Sequence, residues 1–293
     1  VNTTEPSQPG AGPVAAPVQA YDRTLNTRDD VKIVRATGDI TAALKEYRDL
    51  LGGGPNPNPN TVGEKTDGRR EINWDGVPAG FTNNDALPGN FFNATSPRGV
   101  LFTTNGSGFH VSNQGFIEVN TAYAGEFNFF SPFKLFVATG STITDINFVV
   151  AGSTVPAVVT GFGSVFEDVG RAHSTTIEYF DAAGNSLLKV AAPRRSDDNG
   201  QSFAGAVFAS AIVARVRITA GDTPLGADAL DNVKGAGQKR DLVTMDDFIY
   251  GEPQANVFAL FRWDGGGANN NWTTAGNWTS DVAPSAGVRL QFP

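Results

Sequence analysis

A chain of 293 residues with a formal net charge of −8 is long enough for one large domain or for two smaller ones. Its acidic balance, without any basic run, argues against nucleic acid as a partner and against an anionic membrane surface. The chain has no cysteine, which excludes disulfides, thiolate metal ligands and a cysteine nucleophile. No apolar run approaches the roughly 20 residues of a transmembrane helix, so we expect no membrane span.

The first 67 residues predict two segments outside the main domain. Residues 1–38 are rich in Pro, Ala and Thr and predict an extended N-terminal segment. Because the sequence starts with Val rather than Met, we expect either that a bacterial signal peptide has been removed or that the chain is a fragment. Residues 39–67 predict a short helix and a stiff Pro-Asn linker. The helix has Asp39 as its N-cap, apolar residues at helical spacing and a Gly-Gly-Gly stop. These apolar residues are Ile40, Leu44, Tyr47 and Leu51.

Residues 68–253 have the composition and hydrophobic pattern of an all-β domain. Short apolar runs recur between turns rich in Gly, Asn, Asp and Pro, and the chain has 34 Gly and 17 Pro. We expect an antiparallel two-sheet sandwich with a jelly-roll-like topology. Strands are predicted around residues 68–78, 99–104, 108–112, 116–119, 133–138, 142–150, 157–162, 175–181, 186–190, 211–219 and 241–253. Pairing of the first and last strands would bring Trp74 and Asp75 close to Asp246 and Asp247.

The strand over residues 241–253 contains two adjacent acids, Asp246 and Asp247. Strict alternation would place them on opposite faces, so that one carboxylate is buried among apolar side chains. A buried carboxylate needs a cation or several hydrogen-bond donors. We therefore predict a discontinuous Ca²⁺ site that uses Asp246 or Asp247 together with Asp75 or Asp168. The alternative is that one acid is solvated and the other accepts bonds from backbone amides or from an arginine such as Arg69 or Arg70.

Aromatic and amide side chains also cluster in the first part of this domain. Trp74, Phe91 and Phe92 could stack on sugar rings, and the neighbouring Asn83 and Asn84 could bind hydroxyl groups. The alternative is that the rings are core residues and the asparagines form turns.

Catalytic patterns are weak. Glu167 with Asp168, or Glu178 with Asp181, could supply a carboxylate pair for glycoside hydrolysis, but acid pairs arise by chance in an acidic sandwich. Neither of the two histidines lies in a motif of a hydrolase triad or a zinc site. We expect a protein that is not an enzyme.

Two stretches of the chain resemble known groups of proteins. Residues 68–78 (GRREINWDGVP) and 245–253 (MDDFIYGEP), with 50–53, 161–169 and 177–181, resemble a domain of uncharacterised secreted bacterial proteins. That resemblance implies no particular activity. Residues 254–293 are rich in Trp, Gly and Asn and look like the start of a β-repeat region. Within them, 262–292 resembles a strand repeat associated with autotransporter passenger domains. Together the resemblances imply an exported protein at the bacterial surface.

These observations favour a non-enzymatic, secreted or cell-surface binding or adhesion module that is calcium-stabilised and carbohydrate-binding. Its partner would be an extracellular glycan or a surface protein. One alternative is a structural subunit whose copies assemble into a surface layer or filament, when a terminal segment adds a strand to a neighbour's sheet. The other is a polysaccharide-acting enzyme.

Overall fold

The computed structural model describes residues 31–195, 200–231, 240–256, 260–279, 281, 283–284 and 289–292. Two antiparallel sheets dominate it. The first sheet contains β1 (Val31–Thr37), β2 (Arg69–Ile72), β4 (Gly108–Ser112), β5 (Leu135–Thr139), β8 (Gly161–Glu167), β11 (Gln201–Phe208) and β13 (Thr244–Gly251). The second contains β3 (Val100–Thr103), β6 (Ile143–Phe148), β9 (Thr176–Phe180), β10 (Ser186–Ala191) and β12 (Arg215–Thr219).

The strand order is β1-β11-β8-β13-β5-β4 in the first sheet, with β2 also paired to β13, and β10-β9-β12-β6-β3 in the second. An aromatic-rich core lies between the sheets, built from their inward-facing side chains. The predicted all-β antiparallel sandwich with one short N-terminal helix is therefore confirmed. The expected pairing of the first strand of the 68–253 region with the last is also present, since β2 pairs with β13. Among the described residues, no helix has the length and apolar character needed to cross a membrane.

Short elements complete the described chain. These are the helices α1 (Thr41–Leu51) and α2 (Phe91–Ala94), the 3-10 turns Ala79–Phe81, Thr121–Tyr123 and Ala275–Asn277, and the strands β7 (Ala157–Val158), β14 (Gln254–Ala255), β15 (Leu260–Arg262) and β16 (Arg289–Gln291). Strand β7 pairs with β14 in antiparallel fashion, whereas β15 and β16 are parallel. A bridge between Trp263 and Trp278 adds a second contact within this C-terminal stretch.

Helix α1 covers the outer face of the first sheet. Its buried side chains are Leu44, Tyr47 and Leu51, as the helical spacing predicts. Gly163 and Gly205 create the room for Tyr47, because a Cβ on either glycine would lie within 3.0 Å of the tyrosine ring. The Asp39 carboxylate accepts a 3.0 Å bond from the Thr41 amide at the helix start, and the helix ends at Gly52, whose φ is +80°.

Two predicted features differ from the structure. Residues 31–37, which fall in the predicted N-terminal segment, form the edge strand β1 and pair with all of β11 except its first residue. The sandwich therefore includes residues 31–37, well before Gly68, whereas residues 1–30 of the predicted N-terminal segment lie outside the described residues. Residues 116–119 are not a strand but part of a turn. Phe116 has a φ of +63°, and its amide donates to the Ser112 hydroxyl, so the chain reverses there instead of continuing β4.

Buried arginines fasten the Pro-Asn linker to the sheet. The Arg70 guanidinium makes two parallel bonds to Glu252, at 2.6 and 2.8 Å, and both side chains are almost fully buried. Its remaining N–H groups donate to carbonyls of Pro59, Thr61, Gly63 and Pro97. Arg69 donates in the same way to carbonyls of Gly52, Gly54 and Pro55. The linker carbonyls are thus hydrogen-bonded to two fixed cations of β2.

We expect Arg70→Met to lower the free energy of unfolding by about 3–5 kcal/mol, because it leaves the Glu252 carboxylate buried without its cation. Denaturant unfolding of the full chain measures this. Lys45→Met is the matched control, since Lys45 and Asp49 form an exposed i,i+4 pair worth at most about 0.5 kcal/mol. Equal losses in the two variants would contradict this prediction.

Candidate metal centre

A β-bulge in β13 decides where its two adjacent acids point. The pairing of β13 with β8 is regular at Met245, opposite Phe166, and resumes at Phe248, opposite Ser164. Two residues, Asp246 and Asp247, thus stand opposite one residue of β8. Val243, Met245, Phe248 and Tyr250 line the core between the sheets, whereas Ile249 lies beneath α1. The prediction from strict alternation is wrong here, because the extra residue puts both carboxylates on the α1 side.

The bulge carboxylates, Asp246 and Asp247, have different surroundings, and one buried oxygen of Asp247 has no hydrogen-bond partner among the described residues. Asp246 accepts three bonds from one loop: the amides of Phe130 and Ser131, at 2.8 and 3.2 Å, and the Ser131 hydroxyl, at 2.6 Å. Asp247 lies 3.5 Å from the guanidinium of Arg48 on α1. Backbone amides meet Asp246 and an arginine lies beside Asp247, as in the alternative to a metal site. The arginine is Arg48 instead of Arg69 or Arg70, and neither acid is solvated.

Burial raises the pKa of Asp246, and the neighbouring Asp247 carboxylate raises it further. Burial also raises the pKa of Asp247, against the opposing effect of Arg48. Nearby, Glu167 is fully buried, and neither of its carboxylate oxygens has a hydrogen-bond partner. Burial and the Asp246 carboxylate raise the pKa of Glu167 to about 9. This face of the sheet thus carries acids that resist ionisation at neutral pH.

The four predicted metal ligands do not meet at one place. Trp74 does lie beside the bulge, since its indole N–H donates to the Asp246 carbonyl at 2.7 Å. The Asp75 backbone carbonyl, however, accepts a bond from Lys134, and burial raises the pKa of the half-buried Asp75 against the opposing charge of Lys134. Asp168 joins a different group of acids. Among the described residues, no group of three or more converging acidic side chains includes Asp75, Asp246 or Asp247.

Asp168 instead belongs to a cluster with Glu126 and Asp231, called the acidic cluster below. One carboxylate oxygen from each residue lies within 4.8 Å of the other two. Asp168 follows β8 directly, and its φ is +63°. Burial raises its pKa most, followed by the charges of Asp231 and Glu126. Oxygen ligands from separate loops are the donor set that Ca²⁺ uses in proteins.

A small hydrophobic core lies beside two loops of the acidic cluster. Its residues Phe127 and Ala229 lie one and two residues from Glu126 and Asp231 in sequence. The hydroxyl of Tyr123 donates to the carbonyls of Gly226 and Ala229, both at 2.9 Å. This contact fixes the loop of Asp231 to the loop of Glu126.

The predicted sugar-binding rings are core residues. Trp74, Phe91 and Phe92 are 1%, 4% and 3% exposed, and the Trp74 ring stacks on Phe136 with centroids 4.0 Å apart. Buried rings cannot offer a face to a sugar in solvent, so this prediction is wrong for all three. Trp74 misleads the sequence analysis because indole serves equally well as a core side chain and as a ligand platform.

The two predicted hydroxyl-binding asparagines shape a loop. Asn83 exchanges two bonds with Asn113, at 2.8 and 3.0 Å, and has a φ of +59°. The Asn84 amide donates to the carbonyls of Thr82 and Gly80, while its oxygen accepts from the Ala86 amide. Both amide groups are thus used within the loop, which is the turn-forming alternative.

Of the acid pairs considered for glycoside hydrolysis, Glu178 and Asp181 have other contacts. Glu178 accepts from the Ser186 hydroxyl at 2.7 Å, and Asp181 closes the turn between β9 and β10 through the amides of Ala183 and Asn185. Of the two histidines, His110 lies between the carboxylates of Asp85 and Glu118, at 2.7 and 2.9 Å.

No family model, no curated protein and no solved structure matches this chain. The two resemblances thus stay predictions, and function has to be inferred from the residues themselves. Sequence reasoning missed Glu126 and Asp231 as site residues. Both lie in loops far from Asp168 along the chain, and no motif spacing links them.

We expect Asp246→Asn to preserve or raise stability and Asp246→Ala to lower it by about 3 kcal/mol. Asparagine can still accept from the two loop amides and donate to the Ser131 oxygen, whereas alanine leaves these buried donors unsatisfied. Denaturant unfolding at pH 5 and pH 8 measures both effects.

The pH dependence has a definite sign. The pKa of Asp246 is higher in the folded than in the unfolded chain, so the folded protein binds more protons above about pH 4. The free energy of unfolding of the native chain should therefore fall as the pH rises from 5 to 8. In Asp246→Asn this fall should be smaller, and an unchanged slope would contradict the assignment.

Proposed function

We propose that this chain is a non-enzymatic, extracellular or cell-surface binding and adhesion module that recognises a glycan through Phe133 and the loop beside it. The observation that carries the proposal is the exposure of Phe133, whose side chain is 70% accessible to solvent. A large apolar ring in water is informative when its surroundings hold it in place.

The backbone around Phe133 supports a role in recognition. Phe133 has a φ of +146° and Trp74, in the neighbouring loop, has a φ of +63°. Each such conformation costs about 1–3 kcal/mol and persists only where the surroundings enforce it. Strain of this kind is concentrated at ligand-binding and active sites.

Hydrogen bonds on either side of Phe133 hold its backbone in this conformation. The Ser131 hydroxyl donates to the Asn73 carbonyl at 3.0 Å, and the loop amides before it bond to Asp246. Lys134 donates to the carbonyls of Asp75 and Val77. The residues before and after Phe133 are thus tied to the 73–77 loop, while the ring itself stays in solvent.

The chemistry of this surface suits a sugar. An exposed aromatic ring can stack on the C–H face of a hexose, and a ring held in advance loses little entropy on binding. The clamped loop adds the exposed Asn73 and the half-buried Asp75, whose side chains can bond to hydroxyl groups. We therefore assign the proposed glycan recognition to this surface instead of to the buried Trp74, Phe91 and Phe92.

We expect Phe133→Ala to reduce affinity at least tenfold for any glycan that the full chain captures on an array. The loss of a stacking contact at the centre of a site is worth about 1.4 kcal/mol or more. The melting temperature should stay unchanged, because the ring is exposed.

The matched control is Ile33→Ala, which removes another exposed apolar side chain, 47% accessible, from the edge strand β1. Binding that is equal in native chain, Phe133→Ala and Ile33→Ala would contradict recognition through Phe133. An array without any captured glycan would contradict the glycan as ligand.

A second candidate function is self-assembly, favoured by the open edge of β1. In the described part of the chain, β1 pairs with β11 alone, so its outer edge can accept a strand from another copy. Lys32 and Arg35 also lie on this strand, and charged side chains on an edge strand limit its pairing with other chains. Light scattering of the native chain tests this candidate. A species of high mass, whose mass is lower in Ile33→Lys, would support self-assembly. A monomeric native chain would contradict it.

A further inference from the structure

We infer that the acidic cluster of Glu126, Asp168 and Asp231 is a Ca²⁺ site. This inference goes beyond the proposed function and does not depend on it, because a cation that fixes three loops is useful with any ligand. It also differs from the site predicted from the sequence, since only Asp168 is common to both.

The first observation is the convergence of three carboxylates. Their oxygens lie within 4.8 Å of one another. Oxygens bound to one Ca²⁺ lie about 2.3–2.6 Å from the ion, so ligands on opposite sides of it are roughly 4.6–5.2 Å apart. The cluster is therefore compact enough for one ion to contact all three residues.

The second, independent observation is the burial of Asp168 without a donor. Asp168 is only 4% exposed. Among the described residues, its carboxylate meets the neighbouring acid Glu126, and no other N–H or O–H group donates to it. A buried carboxylate among other carboxylates is unfavourable unless a cation binds or a proton is taken up. The same charges that raise its pKa would favour a divalent cation.

Other buried acids of this chain show what a purely structural carboxylate looks like. Asp241, close to the cluster, accepts a bond from the Gly170 amide at 2.8 Å and another from the Ser174 hydroxyl. Asp246 accepts three bonds from its loop. Asp168 has no such set of donors, so packing and hydrogen bonding do not account for its position.

The donor set indicates the kind of metal. All three side chains offer oxygen, and the cluster contains no His and the chain no Cys, which disfavours zinc and other metals that prefer nitrogen or sulfur. Ca²⁺ accepts six to eight oxygens in flexible geometry and can complete its shell with carbonyls and water. Mg²⁺ requires a near-ideal octahedron and keeps several of its waters, so three carboxylates on separate loops suit it less well.

The site would connect three segments that are distant in sequence. Glu126 lies between the 3-10 turn Thr121–Tyr123 and β5, Asp168 follows β8, and Asp231 lies between β12 and β13. The Asp231 carboxylate also accepts from the Leu242 amide at 3.0 Å, which ties it to the start of the β13 segment. A bound ion would thus stabilise the loop end of the sandwich.

The experiment is calorimetric titration of the full chain with CaCl₂ after treatment with chelator, together with melting curves in Ca²⁺ and in excess EGTA. The native chain should bind one ion per chain, and saturating Ca²⁺ should raise its melting temperature by at least about 5 °C. MgCl₂ at the same concentration should raise it much less.

Asp168→Asn is the decisive variant. Asparagine tolerates the left-handed backbone of position 168, so the variant should fold. It should bind Ca²⁺ at least tenfold more weakly, and in EGTA it should melt no lower than the native chain, because one of the clustered charges is gone. Asp49→Asn, which alters an acid whose side chain is 64% exposed on α1, should respond to Ca²⁺ like the native chain.

The inference is overturned if the native chain shows neither binding heat nor a change in melting temperature with Ca²⁺. It is equally overturned if Asp168→Asn responds as strongly as the native chain, or if Mg²⁺ is as effective as Ca²⁺. None of these outcomes depends on glycan binding, so failure of the metal site and failure of the proposed function are distinguishable.

Discussion

The buried ion pair between Arg70 and Glu252 is the constraint on which much of the architecture depends. It joins β2 to the residue that follows β13, and the Arg70 guanidinium also donates to four carbonyls of the chain around it. Two charges removed from water require such complete pairing, because each unmet charge would cost several kcal/mol. The segment between α1 and β2 is consequently fixed by charge and hydrogen bonding, with little apolar packing of its own.

The same network positions helix α1. Arg48 of α1 makes two bonds to Glu71 of β2, at 2.8 and 3.0 Å, and Glu71 also accepts from Arg69 at 2.7 Å. Burial works to raise the pKa of Glu71, but the bonds from Arg48 and Arg69 outweigh it and hold the pKa below its usual value. Arg48 reaches Asp247 as well. The helix therefore lies over the first sheet through the polar contacts of Arg48 and through the apolar side chains of Leu44, Tyr47 and Leu51.

Buried acids of one chain have different roles because their surroundings differ. Glu252 is paired with a guanidinium, Asp246 is satisfied by a loop, and Asp168 lies with other carboxylates. Burial alone does not distinguish these cases, since all three residues are at most 4% exposed. The hydrogen-bond donors around each carboxylate distinguish the three cases. That difference separates residues that hold the fold together from the one that points to a bound cation.

The sequence by itself determined the class of fold and much of its content. Short alternating runs between turn residues specify strands, so the antiparallel sandwich, the β9–β10 hairpin and the pairing of the first and last strands of its 68–253 region could all be predicted. The helical spacing of Leu44, Tyr47 and Leu51 likewise identified the buried face of α1. These are local patterns, and each follows from the geometry of one element.

Only the tertiary structure decided the sites. One extra residue in β13 reversed the face of Asp246, and alternation in the sequence carries no sign of such a bulge. Trp74, Phe91 and Phe92 proved to be core, because ring burial depends on the opposing sheet. Glu126, Asp168 and Asp231 meet only in the folded chain, where the loops of Glu126 and Asp231 pack on a shared apolar core. Contacts between residues far apart in the chain arise from packing, and packing cannot be predicted from any single stretch of sequence.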